Sequence, residues 1–305
     1  MPPLADWLRF PAHLFFRRED ERIYAAIRMG FAMVALLNLI FLWPDRLVFF
    51  SDAGMIDPEA ARAQGNPVYF SIFAFARSEA AVTWCMIATA LALVMLLTGI
   101  AARLAAFWAL VWQISYIARA PLASTGWDLV LQAFSLLILV SPLGKCWTLP
   151  ALLRGGGKVL PALVSAHGLV LMRLQVLVIY WQAVLSRLTK EDPNFWSNGD
   201  FMSYFLLSHH ARWPGPWVLE FGTLLALATY ATQVAEAAIP ILLWVKKTRW
   251  RGALLGFSLH AGISVFARDI ELFSLSMMMT YLAFLRAEDI NDLQTRVKRW
   301  FARGA

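Results

Sequence analysis

Four ionisable residues lie inside runs that are otherwise apolar: Arg28, Arg173, Glu236 and His260. Ionisable groups in such surroundings are costly and mark function by default. An acid and an imidazole suit proton transfer, because each can hold or give up a proton near neutral pH when its surroundings are tuned. Glu236 stands nine residues before Val245, about 13 Å along a helix, and His260 eight residues after Gly252, about 12 Å. Helices joined by a short loop are usually neighbours. Glu236 and His260 are therefore expected at matching depth as a catalytic pair, with Arg173 or Arg28 as charge partner. Gln233, Glu236 and Pro240 share one helical face, and Pro240 frees a backbone carbonyl there. The plainer alternative is an ion pair that fixes helix packing, with the histidine as hydrogen-bonding glue. Both uses call for the same residue types.

A second set concerns ligand binding. Arg173, Tyr180 and Arg187 are spaced seven apart, which puts them on nearly one face of a helix. Arg119 ends one apolar run and Asp128 begins the next, with Thr125-Gly126 as the turn between them. Asp128 near a helix N-terminus is partly a dipole and capping feature. Arg187, Trp196, Arg268, Asp269 and Glu271 are expected at the same outer level. Charges at helix ends are ordinarily solvated or snorkelling, but as a group under aromatic loops these residues could line an outward-facing pocket. The expected ligand-binding residues are Arg187, Arg119, Asp128, Tyr180, Trp196 and Arg173. No metal site is expected: His209-His210 is a pair in a loop without ligand spacing, and no HExxH occurs. The "RGGGK" stretch lacks the strand and the Ser/Thr that a phosphate loop needs.

The elements that must position these residues follow from composition. The 305 residues are 60% hydrophobic and 15% charged, with 14 tryptophans and 21 phenylalanines. Ordinary soluble domains carry roughly a quarter charged residues, and aromatics collect at membrane interfaces. Apolar runs near the roughly 20 residues needed to cross a bilayer occur at 24–43, 80–99, 103–119, 128–144, 167–188, 217–245, 252–267 and 270–285. The expected fold is all-α, a polytopic integral membrane bundle of about eight helices.

Lys and Arg in the short loops set orientation. With both termini cytoplasmic, the inner segments hold Arg17, Arg18, Lys145, Lys246, Lys247 and Arg299, and most acids fall outside, among them Asp45, Asp57, Glu79 and Asp192. The net charge of +7 thus reads as a topology signal, and no nucleic-acid partner is expected. The chain divides into a cytoplasmic amphipathic segment over 1–22, a transmembrane domain over 23–287 and a basic cytoplasmic tail over 288–305. The charged "FFRREDER" start does not suit a cleavable signal, so the first apolar run is expected to remain as an anchor. Cys85 and Cys146 have no metal spacing and are not expected to form a disulfide. Two long loops, 44–79 and 189–216, are rich in aromatics and are expected to be ordered on the outer side. The absence of an internal repeat weighs against a transporter.

Three segments in order then carry a resemblance: "RAPLASTGWDLVLQAFSLLILVSPLG", "YWQAVLSRLTKEDPNFWSNG", and the pair "EAAIPILLW" with "LHAGISVFARDIELFS". Over about residues 20–287 the chain resembles the HTTM (horizontally transferred transmembrane) domain, the membrane part of vitamin K-dependent γ-carboxylases. Those enzymes oxidise a reduced vitamin K, and the resulting strong base removes a proton from a glutamate before carbon dioxide adds. The resemblance implies that their essential lysine corresponds to Arg187. Arginine stays charged and cannot serve as the amine base a desolvated lysine becomes. The carboxylases' soluble outer domain is not expected either, since the chain runs only about twenty residues past the last expected helix. Glutamate carboxylation is therefore not expected.

The resemblance implies a protein of the bacterial cytoplasmic (inner) membrane with an outer-facing intramembrane cavity. It would bind a quinone-like or lipidic molecule, or a peptide, and act in maturation of a secreted peptide or protein. The partners implied are the lipid bilayer, a hydrophobic small molecule or secreted peptide, and a separate soluble protein. Whether the chain is itself an enzyme stays open, the alternative being a non-catalytic membrane partner or chaperone of a soluble enzyme.

Overall fold

The computed structural model describes residues 13–55, 57, 59–60, 63, 70–143, 145–154, 161–189 and 196–303. Each of the eight expected apolar runs forms a helix: α1 Glu21–Leu42, α2 Glu79–Thr98, α3 Ala102–Arg119, α4 Gly126–Val140, α5 His167–Thr189, α6 Gly222–Trp244, α7 Arg249–Phe266 and α8 Glu271–Thr280. A 3-10 turn, Tyr281–Phe284, continues α8, and a further helix, α9 Ala287–Arg303, follows it. Among the described residues four helices are long and apolar enough to cross a membrane: α1, α2, α5, and α6 taken with its preceding turn as Pro216–Trp244. Gly126–Val140 and Glu271–Phe284 are apolar but shorter. In α3 the apolar run is diluted by Arg103, Gln113 and Arg119, and in α7 by Arg249, Arg251 and His260.

Helix ends are set by local chemistry. Asp20 caps α1 by accepting the Arg22 N–H at 2.8 Å, and Ser78 caps α2 by accepting from Ala81 at 3.3 Å. Gly99 ends α2 at φ 75°, a left-handed conformation that favours glycine. A Cβ there would also come within 2.7 Å of the Arg28 guanidinium.

The chain forms two compact units, 1–171 with 285–305, and 172–284. In the first unit α1 to α4 pack each on its sequence neighbour, and α4 returns against α1. An aromatic core fills this bundle, with Phe50 stacked on Phe73 at 4.9 Å and Trp112 edge-on to both. Arg28 is fully buried there and donates to Leu96 O at 2.6 Å and Trp147 O at 3.0 Å. Its charge sits against the carbonyl end of α2, where the helix dipole favours a cation, whereas Glu236 and His260 belong to the other unit.

In the second unit α6 packs on α7, α7 on α8, and a short helix Phe201–Leu207 on α6. Close approach of α6 and α7 depends on Gly252, where a Cβ would meet Leu242 Cβ at 2.8 Å.

Two features depart from the sequence-based outline. Residues Arg18–Asp20 pair antiparallel with Leu163–Ser165 in a small ladder, β1 and β2. This ladder is too short to leave an alternating pattern. The stretch expected as a basic tail is the helix α9. Cys85 and Cys146 are free thiols, and burial, with help from nearby Glu21 and Asp20, pushes the Cys146 thiol up to about 12. The start of the expected N-terminal segment, 1–12, the glycine-rich stretch 155–160, and 64–69 and 190–195 of the two long loops lie outside the described residues, as do the last two residues of the expected tail.

Candidate functional site

The second unit brings six of the eight expected site residues, Glu236, His260, Arg187, Tyr180, Trp196 and Arg173, into one set of helices. The apolar surface of α5 is interrupted by Arg173, Tyr180 and Arg187 at intervals of seven, and all three turn to protein partners. Arg173 donates its Nε–H to Ala283 O at 2.8 Å and lies 5.8 Å from the Phe284 ring centre, tying α5 to the 3-10 turn. Tyr180, 3% exposed, is bonded through its hydroxyl to His260 Nε2 at 2.8 Å and to the Tyr281 hydroxyl. Arg187 forms an ion pair with Glu236 and lays its guanidinium 3.8 Å from the Trp196 ring centre.

Glu236 and His260 thus do not bond to each other. Glu236 pairs with Arg187, and His260 with Tyr180, because the long guanidinium reaches along the bundle from the end of α5. The carboxylate still lies within electrostatic reach of both tyrosine hydroxyls.

The loop residues are held as firmly. Trp196 stacks on Phe201 at 3.7 Å and accepts, through its carbonyl, the Gln233 side-chain amide at 3.0 Å. Gly199 adopts φ 85°, which suits glycine, and a Cβ there would come within 3.1 Å of Tyr230. The "WSNG" turn therefore delivers Trp196 to the arginine. Gln233 and Glu236, one turn apart on α6, hold the loop and the guanidinium respectively.

His260 is 2% exposed, and its Nδ1 is buried without a hydrogen-bond partner among the described residues. Phe273 meets the ring edge-on at 5.7 Å, and Ser274 Oγ donates to the His260 carbonyl at 3.0 Å. Gly256, one turn before His260, lies where a Cβ would meet the Tyr281 hydroxyl oxygen at 2.3 Å, so the glycine makes room for that hydroxyl. A neutral imidazole has one donor and one acceptor nitrogen. Whichever way the Tyr180 hydrogen bond runs, Nδ1 keeps the complementary role: donor if Nε2 accepts, base if Nε2 donates. Two hydroxyls in series with that ring form a path along which a proton can be passed.

A scan against protein-family models finds no match, and searches of curated proteins and of solved structures find none either. No relative lends this chain a function.

Arg119 and Asp128, expected as ligand contacts, belong to the first unit and are engaged there. Asp128 Oδ1 accepts the Tyr116 hydroxyl and the Asn38 amide, the latter at 3.2 Å, while Oδ2 accepts Thr125 N at 2.7 Å and Thr125 Oγ1 at 3.0 Å. All four lone-pair positions are taken, so Asp128 caps α4 and braces α1 against α3. Arg119, 1% exposed, donates to Ser51 O at 2.8 Å. Arg268 and Glu271 hold a turn: Glu271 pairs with Arg212, and Arg268 Nη2 donates to Arg212 O at 3.1 Å. His209 and His210 stack on one another at 3.9 Å, and no metal-binding cluster occurs among the described residues.

Sequence reasoning passed over Tyr281 and Asn38. Both could have been flagged as polar groups in apolar runs, "MMMTYLAF" and "VALLNLIF". A further pointer to Tyr281 was Gly256, four residues before the buried histidine.

Proposed function

We propose that this chain is a polytopic protein of a bacterial cytoplasmic membrane, with about eight spans and cytoplasmic termini. Its second unit binds a hydrophobic molecule bearing a carbonyl or hydroxyl, of the quinone class. One observation carries the reading: the buried His260 Nδ1 without a hydrogen-bond partner among the described residues, its ring held in place by Tyr180. A buried polar nitrogen left unpaired costs about 1–3 kcal/mol, which a ligand oxygen would recover. A quinone-like carbonyl accepts from the imidazole when Nδ1 carries the proton, and a quinol hydroxyl donates to it when Nδ1 does not. The Tyr180–Tyr281 pair can supply or take up that proton. The resemblance to the HTTM domain supports the same ligand class and the same outer-facing placement.

A second reading is favoured by a specific contact. Arg187, at the position matching the carboxylase lysine, is ion-paired with Glu236 and stacked on Trp196. A cation so engaged suits binding better than proton abstraction, which fits a non-catalytic membrane partner of a separate soluble enzyme in maturation of a secreted peptide.

The test is solvent extraction of detergent-purified protein, with mass spectrometry of the extract. Wild type should release a quinone-type molecule, and His260→Leu and Arg187→Lys should release less, the latter because lysine keeps the charge but loses the planar fork. Equal retention in wild type and both variants would sink the site. Co-purification of a stoichiometric protein partner without any small molecule would favour the second reading. Orientation is checked in whole cells lacking Cys85 and Cys146: an impermeant maleimide should label Asn198→Cys and spare Lys247→Cys.

A further inference from the structure

The buried series Tyr281, Tyr180 and His260 holds one proton more than it can place. The three residues are 5%, 3% and 2% exposed, so their polar groups depend on acceptors within the protein. The Tyr180 hydroxyl bonds His260 Nε2 at 2.8 Å and also the Tyr281 hydroxyl. Neither the Tyr281 hydroxyl nor His260 Nδ1 has another hydrogen-bond partner among the described residues. Against the Tyr281 hydroxyl stands Gly256, which brings no side-chain acceptor, and against the imidazole stands the ring of Phe273. Glu236 is paired with Arg187. Among the described residues no carboxylate is bonded to the imidazole, and an unpaired buried charge is costly, so the ring is neutral.

Three polar protons follow, one on each hydroxyl and one on the ring, against two hydrogen bonds. If Tyr281 donates to Tyr180 and Tyr180 to Nε2, the ring proton sits on Nδ1 without an acceptor. If the series runs the other way, Nε2 donates to Tyr180, Tyr180 to Tyr281, and the Tyr281 proton is left over. Either way a buried donor is unmet. The first unit shows how such a surplus is resolved. There Asp128, a group that only accepts, takes the protons of the Tyr116 hydroxyl and the Asn38 amide. No such acceptor closes the second series among the described residues.

We propose that the ligand supplies the missing acceptor, and that the site therefore binds a carbonyl oxygen in preference to a hydroxyl, the quinone form of its ligand over the quinol form. The inference rests on the reading of His260 Nδ1 as the contact for a quinone-class molecule. A carbonyl has lone pairs and no proton. Placed at Nδ1, it lets Tyr281 donate to Tyr180, Tyr180 to Nε2 and Nδ1 to the ligand, and every proton is met. A quinol oxygen brings a proton of its own. If it accepts from Nδ1, that proton is left over; if it donates to Nδ1, the series reverses and strands the proton on Tyr281. A carboxylate would also only accept, but it would carry an unpaired charge into the apolar interior. An unmet buried donor is disfavoured by about tenfold or more, and that is the discrimination expected.

The test uses the full chain in detergent with decylubiquinone and menadione, each as quinone and, under anaerobic reduction, as quinol. Equilibrium dialysis should show at least one of the two bound about tenfold or more tightly as quinone than as quinol. His260→Leu removes the ring donor, so it should bind both forms weakly and alike. Infrared difference spectra of wild type with bound quinone give a second reading that needs no variant. One carbonyl stretch should fall below its value in detergent alone, as it does when a carbonyl accepts a hydrogen bond. Quinol held as tightly as quinone, or more tightly, overturns the inference while leaving the quinone-class reading of the site in place. A preference that persists in His260→Leu also overturns it, because the ring donor is then not its source. So does an unshifted carbonyl stretch in the bound quinone. Binding of neither form above the His260→Leu level sinks the quinone-class reading itself, and the inference with it.

Discussion

Two clusters of polar side chains among apolar helices, one in each unit, end differently. In the first, Asp128 is surrounded by donors from Tyr116, Asn38 and Thr125, and Asn38 Oδ1 in turn accepts the Trp127 indole N–H at 3.2 Å. The cluster closes on itself. In the second, the chain of Tyr281, Tyr180 and His260 ends on a ring nitrogen with no protein partner among the described residues. Burying a polar atom costs free energy unless it is hydrogen-bonded, and most buried polar atoms are. A closed cluster therefore accounts for itself as structure, whereas an open one requires a further role. Both clusters set polar side chains within apolar runs, and what separates them is how completely each is satisfied.

The largest expected effect breaks the closed cluster. Asp128→Leu removes the acceptor for several buried donors at once and should destabilise the protein by about 4 kcal/mol, within the range for stripping one partner from a buried charged network. The midpoint of thermal unfolding in detergent should fall sharply. Any molecule that co-purifies should still be retained by the fraction that folds. If the midpoint does not move, the Asp128 cluster is not the brace that the comparison requires.

A smaller effect sharpens the open cluster. Gly256→Ala would push a methyl group to 2.3 Å from the Tyr281 hydroxyl oxygen, and overpacking of this kind costs about 2 kcal/mol. Tyr281→Phe removes the nearest atom but leaves the ring carbons Cζ and Cε2 at 2.6 and 2.8 Å from the added methyl, so the double variant should recover only part of the loss, a coupling that a double-mutant cycle reads directly. Additive losses would place the strain elsewhere.

The helices were legible in the sequence because each is an apolar run of adequate length, and burial in either protein or lipid leaves that same mark. Partners in the candidate site were less legible than residues. Glu236 is half-buried and His260 buried, yet equal depth on adjacent helices does not fix which way a side chain turns. Arg187 took Glu236 because a guanidinium can span most of a helical turn, and an estimate from backbone depth ignores that reach. Asp128 looked like a ligand contact because its partners come from three separate segments, and a one-dimensional pattern does not show that Asn38 and Tyr116 converge on it. The amphipathic pattern of α9 was present in "INDLQTRVKRW", but its density of charge made it read as tail. The β1–β2 ladder left no comparable trace, since three residues per strand are too few for alternation to register.

The smallest expected effect on stability is also the one that separates the two kinds of cluster most cleanly. Tyr180→Phe keeps the ring and deletes one oxygen, which bonds both His260 and Tyr281. As a purely structural hydroxyl it would be worth about 1 kcal/mol, and its loss would leave any co-purified molecule untouched. If the hydroxyl holds His260 so that Nδ1 faces a bound carbonyl, the stability change stays equally small, but the imidazole loses both its fixed tautomer and its orientation. Retention of the extracted molecule should then fall by about tenfold, equivalent to one charge-neutral hydrogen bond of about 1.4 kcal/mol lost from binding. His260→Gln serves as the companion variant, because its amide can still bond the Tyr180 hydroxyl yet cannot present a ring nitrogen on the far side. It should match Tyr180→Phe in ligand loss, with a larger fall in the unfolding midpoint because the ring packed against Phe273 is lost. Full retention in both variants would make the second cluster structural like the first, its open nitrogen notwithstanding.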